Sequence, residues 1–358
     1  MKILIAPNAF KNSLPADAAA TAILEGLSQS PLSFTGECFP VGDGGDGTGD
    51  LLIKRLGATL IETPARDPLG RPRQASFGLA GETAIIEMAN ASGIRLLDRG
   101  ELDPLQALST GTGDLILGAL DHKARHIILG MGGSATVDGG IGILTALGVR
   151  FSDTDIDTSG LDPRLAATRL TVLCDVNNPL LGPLGAAPVF GPQKGATPQA
   201  VQQLETRLGT LAGLIQKTTG KEIANLPSGG TAGGAAAGLY GLLDAELVNG
   251  IDYFLQLTGF DKALEDTDLV ITGEGSIDEQ TLQGKAPFGV ALRAKEKGIP
   301  VIGLAGRLPQ NSRKLDEYFD VLLPINLQLL HPAQALKLTA ANLRATAKAI
   351  GMLLSWQQ

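Results

Sequence analysis

The stretch KILIAPNAFKNSL, Lys2 to Leu14, decides the fold class. Residues 2–6 alternate into a short apolar strand, 8–14 form a polar turn, and an Ala-rich helix begins near Pro15, where Ser13 is placed to cap it. A strand–loop–helix unit of this kind builds an open parallel sheet. A second unit follows, with a strand over 36–41, the loop GDGGDGT at 42–48 and a short helix through Leu56. The alternation returns late in the chain as strand 269–272, helix 287–297, strands 301–305 and 321–324, and a long helix over 332–354. Between these ends the pattern differs. Residues 59–89 are extended segments broken by Pro64, Pro68, Gly70 and Pro72, which suits antiparallel strands. Beyond them 112–120 reads as a helix, 126–130 as a strand, 137–147 as a helix, 170–175 as a buried strand and 198–218 as a long polar helix. The expected architecture is α/β: a doubly wound, flavodoxin- or Rossmann-like parallel sheet domain made by both chain ends (1–60 and 243–358), and an inserted mixed α/β domain (61–242). An active-site cleft is expected between them, at strand C-terminal ends.

Composition supports two domains and narrows the chemistry. The chain has 358 residues, 44% hydrophobic and 18% charged, enough to bury a sizeable core. Lys plus Arg number 29 against 37 Asp plus Glu, a net charge of −8, and no basic block suits a nucleic-acid backbone. The small-residue, apolar run near 231–243 is shorter than the ~18–20 residues that cross a bilayer, and the N-terminal run reads as a strand where a signal peptide needs an apolar core. A cytoplasmic protein without membrane or nucleic-acid partners is expected, with homo-oligomerisation left open. Cys38 and Cys174 are too few for a disulfide scaffold and read as small buried hydrophobes. His122 and His126 stand four apart beside Lys123 and Arg125, which favours surface residues over metal ligands. Acid–base work therefore falls to carboxylates or Lys.

Six loops share one design, in which a strand ends and Gly follows with Asp, Glu, Ser, Asn or Lys. They begin at Pro7, Gly42, Gly130, Cys174, Gly191 and Thr272, and strand-end loops of open α/β sheets are where ligands bind. GDGGDGT satisfies G-x-G-x-x-G, but its two aspartates repel a pyrophosphate unless a cation intervenes. Asp43 and Asp46 are thus candidate Mg²⁺ ligands, against the alternative of a plain Asp-Gly turn. GMGGSA at 130–135 follows a strand and is expected to open a helix, so the amides of Gly132, Gly133 and Ser134 are candidates to hold an anion. The same loop, with Asp153 about twenty residues on, keeps a nicotinamide-dependent oxidoreductase as an alternative, and glycine packing as another. No Walker-type pattern is present. Lys11, Lys194 and Lys285 are candidate phosphate-neutralising groups, with solvated side chains as the alternative. Asp175 and Asp278 are placed to accept a hydroxyl proton or hold metal, unless they serve as an Asx turn or a helix cap. Glu87 interrupts an apolar run and needs a partner or a ligand. Arg66 and Arg71 are the nearest guanidinium candidates for a substrate carboxylate.

Taken together, FKNSL from Phe10, DGGDGT from Asp43, IEMANASGI from Ile86, STGTGDLI from Ser109, GGSATVDGG from Gly132, CDVNNPL from Cys174, FGPQKGA from Phe190 and ITGEGSIDEQT with Gly284-Lys285 resemble the bacterial glycerate kinase type 1 family. The resemblance runs in order along essentially the whole chain. It implies ATP- and Mg²⁺-dependent phosphorylation of D-glycerate to 2-phosphoglycerate by a two-domain protein, with a 3-phosphate product as the alternative. From the loop chemistry above, and because Asn8 cannot ionise in place of the aspartate the family pattern has there, catalytic roles are expected for Lys11, Asp43, Asp175 and Asp278. Substrate or phosphate binding falls to Ser13, Gly44, Gly45, Gly132, Gly133, Ser134, Lys194, Glu274 and Lys285, and metal binding to Asp43 and Asp46. The sequence departs from the family pattern at Asn8, where an aspartate is expected, at Asn12 for glycine, at Asp46 for glutamate, and in LPSGGTAGG ending at Gly234. A non-catalytic, anion-binding relative of the kinases is a further alternative.

Overall fold

A computed structural model describes residues 1–310, 313–326, 328 and 331–356. In chain order the strands are β1 (Lys2–Pro7), β2 (Thr35–Cys38), β3 (Thr59–Arg66), β4 (Pro72–Ala80), β5 (Thr83–Glu87), β6 (His126–Gly130), β7 (Arg150–Phe151), β8 (Ile156–Asp157), β9 (Arg169–Cys174), β10 (Glu246–Asn249), β11 (Leu269–Ser276), β12 (Val301–Arg307) and β13 (Val321–Pro324). The chain divides into two units, Met1–Asp43 with Ile251–Gln358, and Gly44–Gly250.

The first unit holds a five-stranded sheet in the order β13-β12-β11-β1-β2, every pairing parallel. Counted among its own strands the order is 2-1-3-4-5, so the winding reverses between β1 and β11. That is where ligands enter open sheets, outside the carboxyl ends of the strands. Ile3, Leu4, Ile5 and Ala6 are all fully buried, as a strand covered on both faces requires. Ile3, Ile5 and Ile271 pack with Ile23 and Leu27 of the helix Ala16–Ser28 and Leu343 of the helix Thr339–Ser355. Leu4 and Val270, of opposite parity, point away from that cluster. The long helix expected over 332–354 is interrupted at Leu338, which separates Pro332–Lys337 from Thr339–Ser355.

The second unit holds a six-stranded sheet in the order β10-β9-β6-β5-β4-β3 and the small β7–β8 hairpin. β3, β4 and β5 form the antiparallel arm read from the proline-broken stretch, and β5 then continues parallel to β6, β9 and β10. Phe77, Ile86, Ile116, Leu129, Val172 and Leu211 belong to its core. The units part at 43/44 and 250/251, where the sequence placed boundaries near 60 and 243. The helix Thr48–Leu56 is the reason at one end, because Ile53 packs on Gly78 of β4 and Gly49 on Glu87 of β5. At the other, β10 extends the sheet beside β9. The helix expected over 137–147 is confined to Ile141–Ala146, because Gly139 and Gly140 take positive φ ahead of it.

Candidate functional site

At the carboxyl ends of β1 and β11 the first unit assembles a buried polar cluster. The chain leaves β1 with Asn8 N–H donating to Gly273 O (2.8 Å). Asn8 Nδ2 then donates to Asp43 Oδ2 (3.0 Å) while Asn8 Oδ1 accepts from Ala9 N–H (2.7 Å). Glu274, near the end of β11, accepts from Thr281 Oγ1 (3.0 Å) and is only 8% exposed. Burial pushes its carboxyl up to about 7; Lys285 and Lys11 pull the other way, and the charge of Asp43 adds to the rise. Asp43, Glu274, Lys11 and Lys285 therefore act on one neighbourhood. Asn12 has φ of 61°, a left-handed conformation that glycine adopts freely and asparagine tolerates. Asparagine here thus holds a backbone conformation that is also open to glycine.

Two residues assigned to this half have other engagements. Ser13 does not cap the following helix, whose N-cap position is Pro15 with no side-chain bond. Its hydroxyl donates instead to Leu336 O (2.5 Å) and lies 2.6 Å from Thr339 Oγ1, tying the loop to the C-terminal helices. Asp278 takes the bland role weighed for it: Oδ1 accepts from Gln280 N–H (2.9 Å) in an Asx turn. Thr281, which serves Glu274 and also accepts from Asp278 N–H (3.1 Å), was not singled out. Its signal was the Asp-x-x-Thr spacing inside GSIDEQT.

In the second unit the glycine loops pack on each other. Gly44 O accepts from Met131 N–H (3.2 Å) and Gly132 N–H (3.1 Å), and Gly44 N–H donates to Thr48 Oγ1 (3.0 Å). A Cβ on Gly132 falls 2.0 Å from Asp46 N and 2.3 Å from Gly45 C, so close backbone approach is what demands glycine. Gly133 O accepts from Ile94 N–H (2.8 Å). The Gly132 amide is accordingly engaged within the protein, and no helix opens directly after GMGGSA. This removes the dinucleotide fingerprint and the anion-at-helix-terminus reading of that loop. The anion at the next helix is the protein's own: Asp138 accepts from Gly140, Gly142 and Ser109 N–H and from Ser109 Oγ. Asp138 was missed, although an Asp ahead of Gly-Gly and an apolar run signals a cap.

Lys194 does not take the solvated alternative. It is 4% exposed, and Nζ donates to Ser134 Oγ (2.8 Å) and Thr136 O (2.7 Å). Burial lowers its pKa to about 8, against the opposing charges of Asp138 and Asp175. Asp175, just past β9, therefore lies in the field of the Ser134–Lys194 pair. Asp46 pairs with Arg95 (3.3 Å), whose Nη2 also donates to Asn90 Oδ1 (2.7 Å). Glu87 finds its partners in the backbone: Gly47 and Gly49 N–H donate to it (2.8 Å for Gly49), at the N-terminus of Thr48–Leu56. Burial raises it to about 7.

The guanidinium candidates for a substrate carboxylate are already paired. Arg66 forms a fork on Asp114 (2.5 and 2.9 Å), and Arg71 bridges Asp67 and Glu101. His122 Nδ1 meets Gly118 O at the end of its helix, while His126 Nε2 meets Thr171 Oγ1 across β6 and β9, so the two histidines do not converge. Cys174 is buried, its thiol pushed up to about 12, whereas Cys38 is only half-buried. Among the described residues no group of three or more His, Cys, Asp or Glu is placed to hold a metal. Mg²⁺ does not need such a cage, since one or two carboxylates suffice when phosphate oxygens and water complete its shell. The buried, hard-oxygen donor Asp43 fits that requirement. Among the described residues no helix is long and apolar enough to cross a membrane.

Comparison with known proteins agrees with this arrangement. The glycerate kinase family profile matches residues 3–355. A glycerate kinase of Halalkalibacterium halodurans is 40% identical, covering 99% of each chain. A glycerate 2-kinase of Escherichia coli K12 is 41% identical, covering 91% of each. A crystal structure from Salmonella typhimurium LT2, described as a candidate glycerate kinase 2, superposes with a TM-score of 0.83 at 40% identity, covering 100% of this chain and 99% of that one. The chain belongs to the glycerate kinase family.

Proposed function

We propose that the protein transfers the γ-phosphoryl group of ATP to the 2-hydroxyl of D-glycerate, giving 2-phosphoglycerate and ADP. The match over residues 3–355 carries this reading. The name of the E. coli relative favours the 2-phosphate over the 3-phosphate product.

Phosphoryl transfer requires an in-line hydroxyl and neutralisation of charge on the equatorial oxygens, with little covalent participation by the protein. Lys11 and Lys285, which act on the Glu274 carboxyl from the same neighbourhood, supply positive charge to the phosphates. Asp43, with Asp46 as the second candidate, is the residue to hold Mg²⁺, which when bound neutralises phosphate charge. Glu274, raised to about 7 by burial, is about half protonated at neutral pH, and its protonated form is suited to donate a hydrogen bond to a phosphate oxygen. In the second unit Lys194 fixes Ser134 and its loop.

The test is to mix pure protein with Mg-ATP and D-glycerate, follow ADP release, and identify the phosphorylated carbon by proton-coupled phosphorus NMR. Coupling to a single methine proton is expected. Coupling to a methylene pair shows the 3-phosphate, and no ADP release refutes the kinase reading. K11A and D43N are each expected to lower kcat by about 10²-fold or more with the fold intact.

A further inference from the structure

We infer that Thr281 is a positioning residue for Glu274: its hydroxyl holds Oε1 inside the protein, so that Oε2 is the oxygen that meets the phosphate. The inference rests on the proposed contact of Glu274 with a phosphate oxygen. A carboxylic acid can turn either oxygen outward, and only the one that carries the proton donates. The hydrogen bonds of Thr281 remove that choice. A threonine hydroxyl has one proton to give and two lone pairs to receive. Thr281 is fully buried, and its Oγ1 already accepts from Asp278 N–H at 3.1 Å. Among the described residues Glu274 Oε1, at 3.0 Å, is the acceptor left for its proton. A buried hydroxyl proton without an acceptor is costly, so the proton goes to Oε1, which is then the carbonyl oxygen of the protonated acid. The acid proton is thereby placed on Oε2, which has no hydrogen-bond partner among the described residues. Both ends of the contact are fixed. Glu274 stands opposite Ala305 in the β11–β12 pairing. Thr281 N–H donates to Asp278 O (2.9 Å) and Thr281 O accepts from Lys285 N–H (3.2 Å), so the same residue anchors the backbone of a lysine that acts on Glu274.

The variant T281V keeps the shape of the side chain and removes its proton, whereas T281S keeps the hydroxyl. T281V is expected to lower kcat by about 10-fold, less than the roughly 10²-fold loss on removing a transition-state donor outright. The KM values for ATP and glycerate should stay within about threefold, the signature of an interaction that matters in the transition state. T281S should return kcat to within about threefold of the parental value. A cycle with E274A separates positioning from packing. E274A leaves no Oε1 to hold, so E274A/T281V should turn over within about twofold of E274A. Parental kcat in T281V, a T281S as slow as T281V, or a further 10-fold loss on adding T281V to E274A each overturn the inference, the last by assigning Thr281 to the packing of its turn. T281A replaces T281V should circular dichroism show the latter unfolded, and loss of the fold in both gives Thr281 a structural role only. Parental kcat in E274A removes the role of Glu274, and the inference with it. Should the parental protein release no ADP, the kinase reading falls, and the same cycle read as melting temperatures without ligands decides whether Thr281 holds Glu274: coupling between the two positions supports the contact and its absence overturns it.

Discussion

Lys194 offers the most quantitative test of the structure, through the variant K194M. In the folded protein the ammonium is 4% exposed, bonded to Ser134 Oγ and Thr136 O, and its pKa is lowered from 10.5 to about 8. A folded-state pKa below the unfolded one means that the charged form is penalised by burial. The penalty is fully present below pH 8 and is relieved as pH rises from 8 to about 10.5, where the unfolded chain still binds the proton and the folded protein does not. At about 1.4 kcal/mol per pH unit, that window corresponds to roughly 3 kcal/mol of stability regained on raising the pH. Methionine has no proton to lose, so K194M lacks this rise. It also leaves Ser134 Oγ and Thr136 O without their donor, at about 1–3 kcal/mol each. Replacing a buried charge by an apolar side chain offsets part of that loss. Urea unfolding of both proteins at pH 7, 8, 9 and 10 gives the difference in stability directly, with other titrations in this range cancelling. The difference should shift by roughly 3 kcal/mol in favour of the parental protein as pH rises. A pH-independent difference refutes the claim that the buried amine changes its protonation on folding.

Further outcomes follow from particular contacts. G132A places a methyl 2.0 Å from Asp46 N, against the Gly45–Asp46 backbone, and should lower stability by about 1–3 kcal/mol or more in a thermal melt; an unchanged melting temperature refutes the packing. N12G should be neutral or slightly stabilising, whereas N12A should cost about 1 kcal/mol, because φ of 61° suits glycine and disfavours alanine. Burial holds Glu87 at about 7 against an ordinary 4.5, so the parental protein should lose stability as pH climbs through that window, by roughly 3 kcal/mol in all. E87Q should flatten that decline, and parallel urea curves for the two proteins between pH 4.5 and 7 refute it.

Much of the architecture was legible because it is written in local periods. The run from Lys2 to Ala6, the polar turn after it and the alternation resumed at Leu269 announce parallel strands with crossover helices, and the prolines at 64, 68 and 72 announce the antiparallel arm. The boundary near residue 60 failed for a related reason. The helix after GDGGDGT has the same local pattern whether it packs on the first sheet or the second, and only its contacts with β4 and β5 assign it.

The chain by itself also determined the family, through eight ordered motifs. What it did not determine is the partner of each polar side chain. Asn8 meets Asp43 across 35 positions, Gly47 meets Glu87 across 40, and Lys194 meets Ser134 across 60. Hydrophobic periodicity and turn residues report on neighbours a few positions away, whereas these bonds are selected by the sheet order that brings distant loops together. Hence Lys194, a candidate phosphate group with a solvated side chain as its alternative, proves buried, Arg66 and Arg71, the nearest guanidinium candidates for a carboxylate, prove paired, and Gly132, a candidate anion cradle, proves a packing contact. Burial and partner, both products of tertiary structure, decide whether an ionisable residue is chemistry or scaffold.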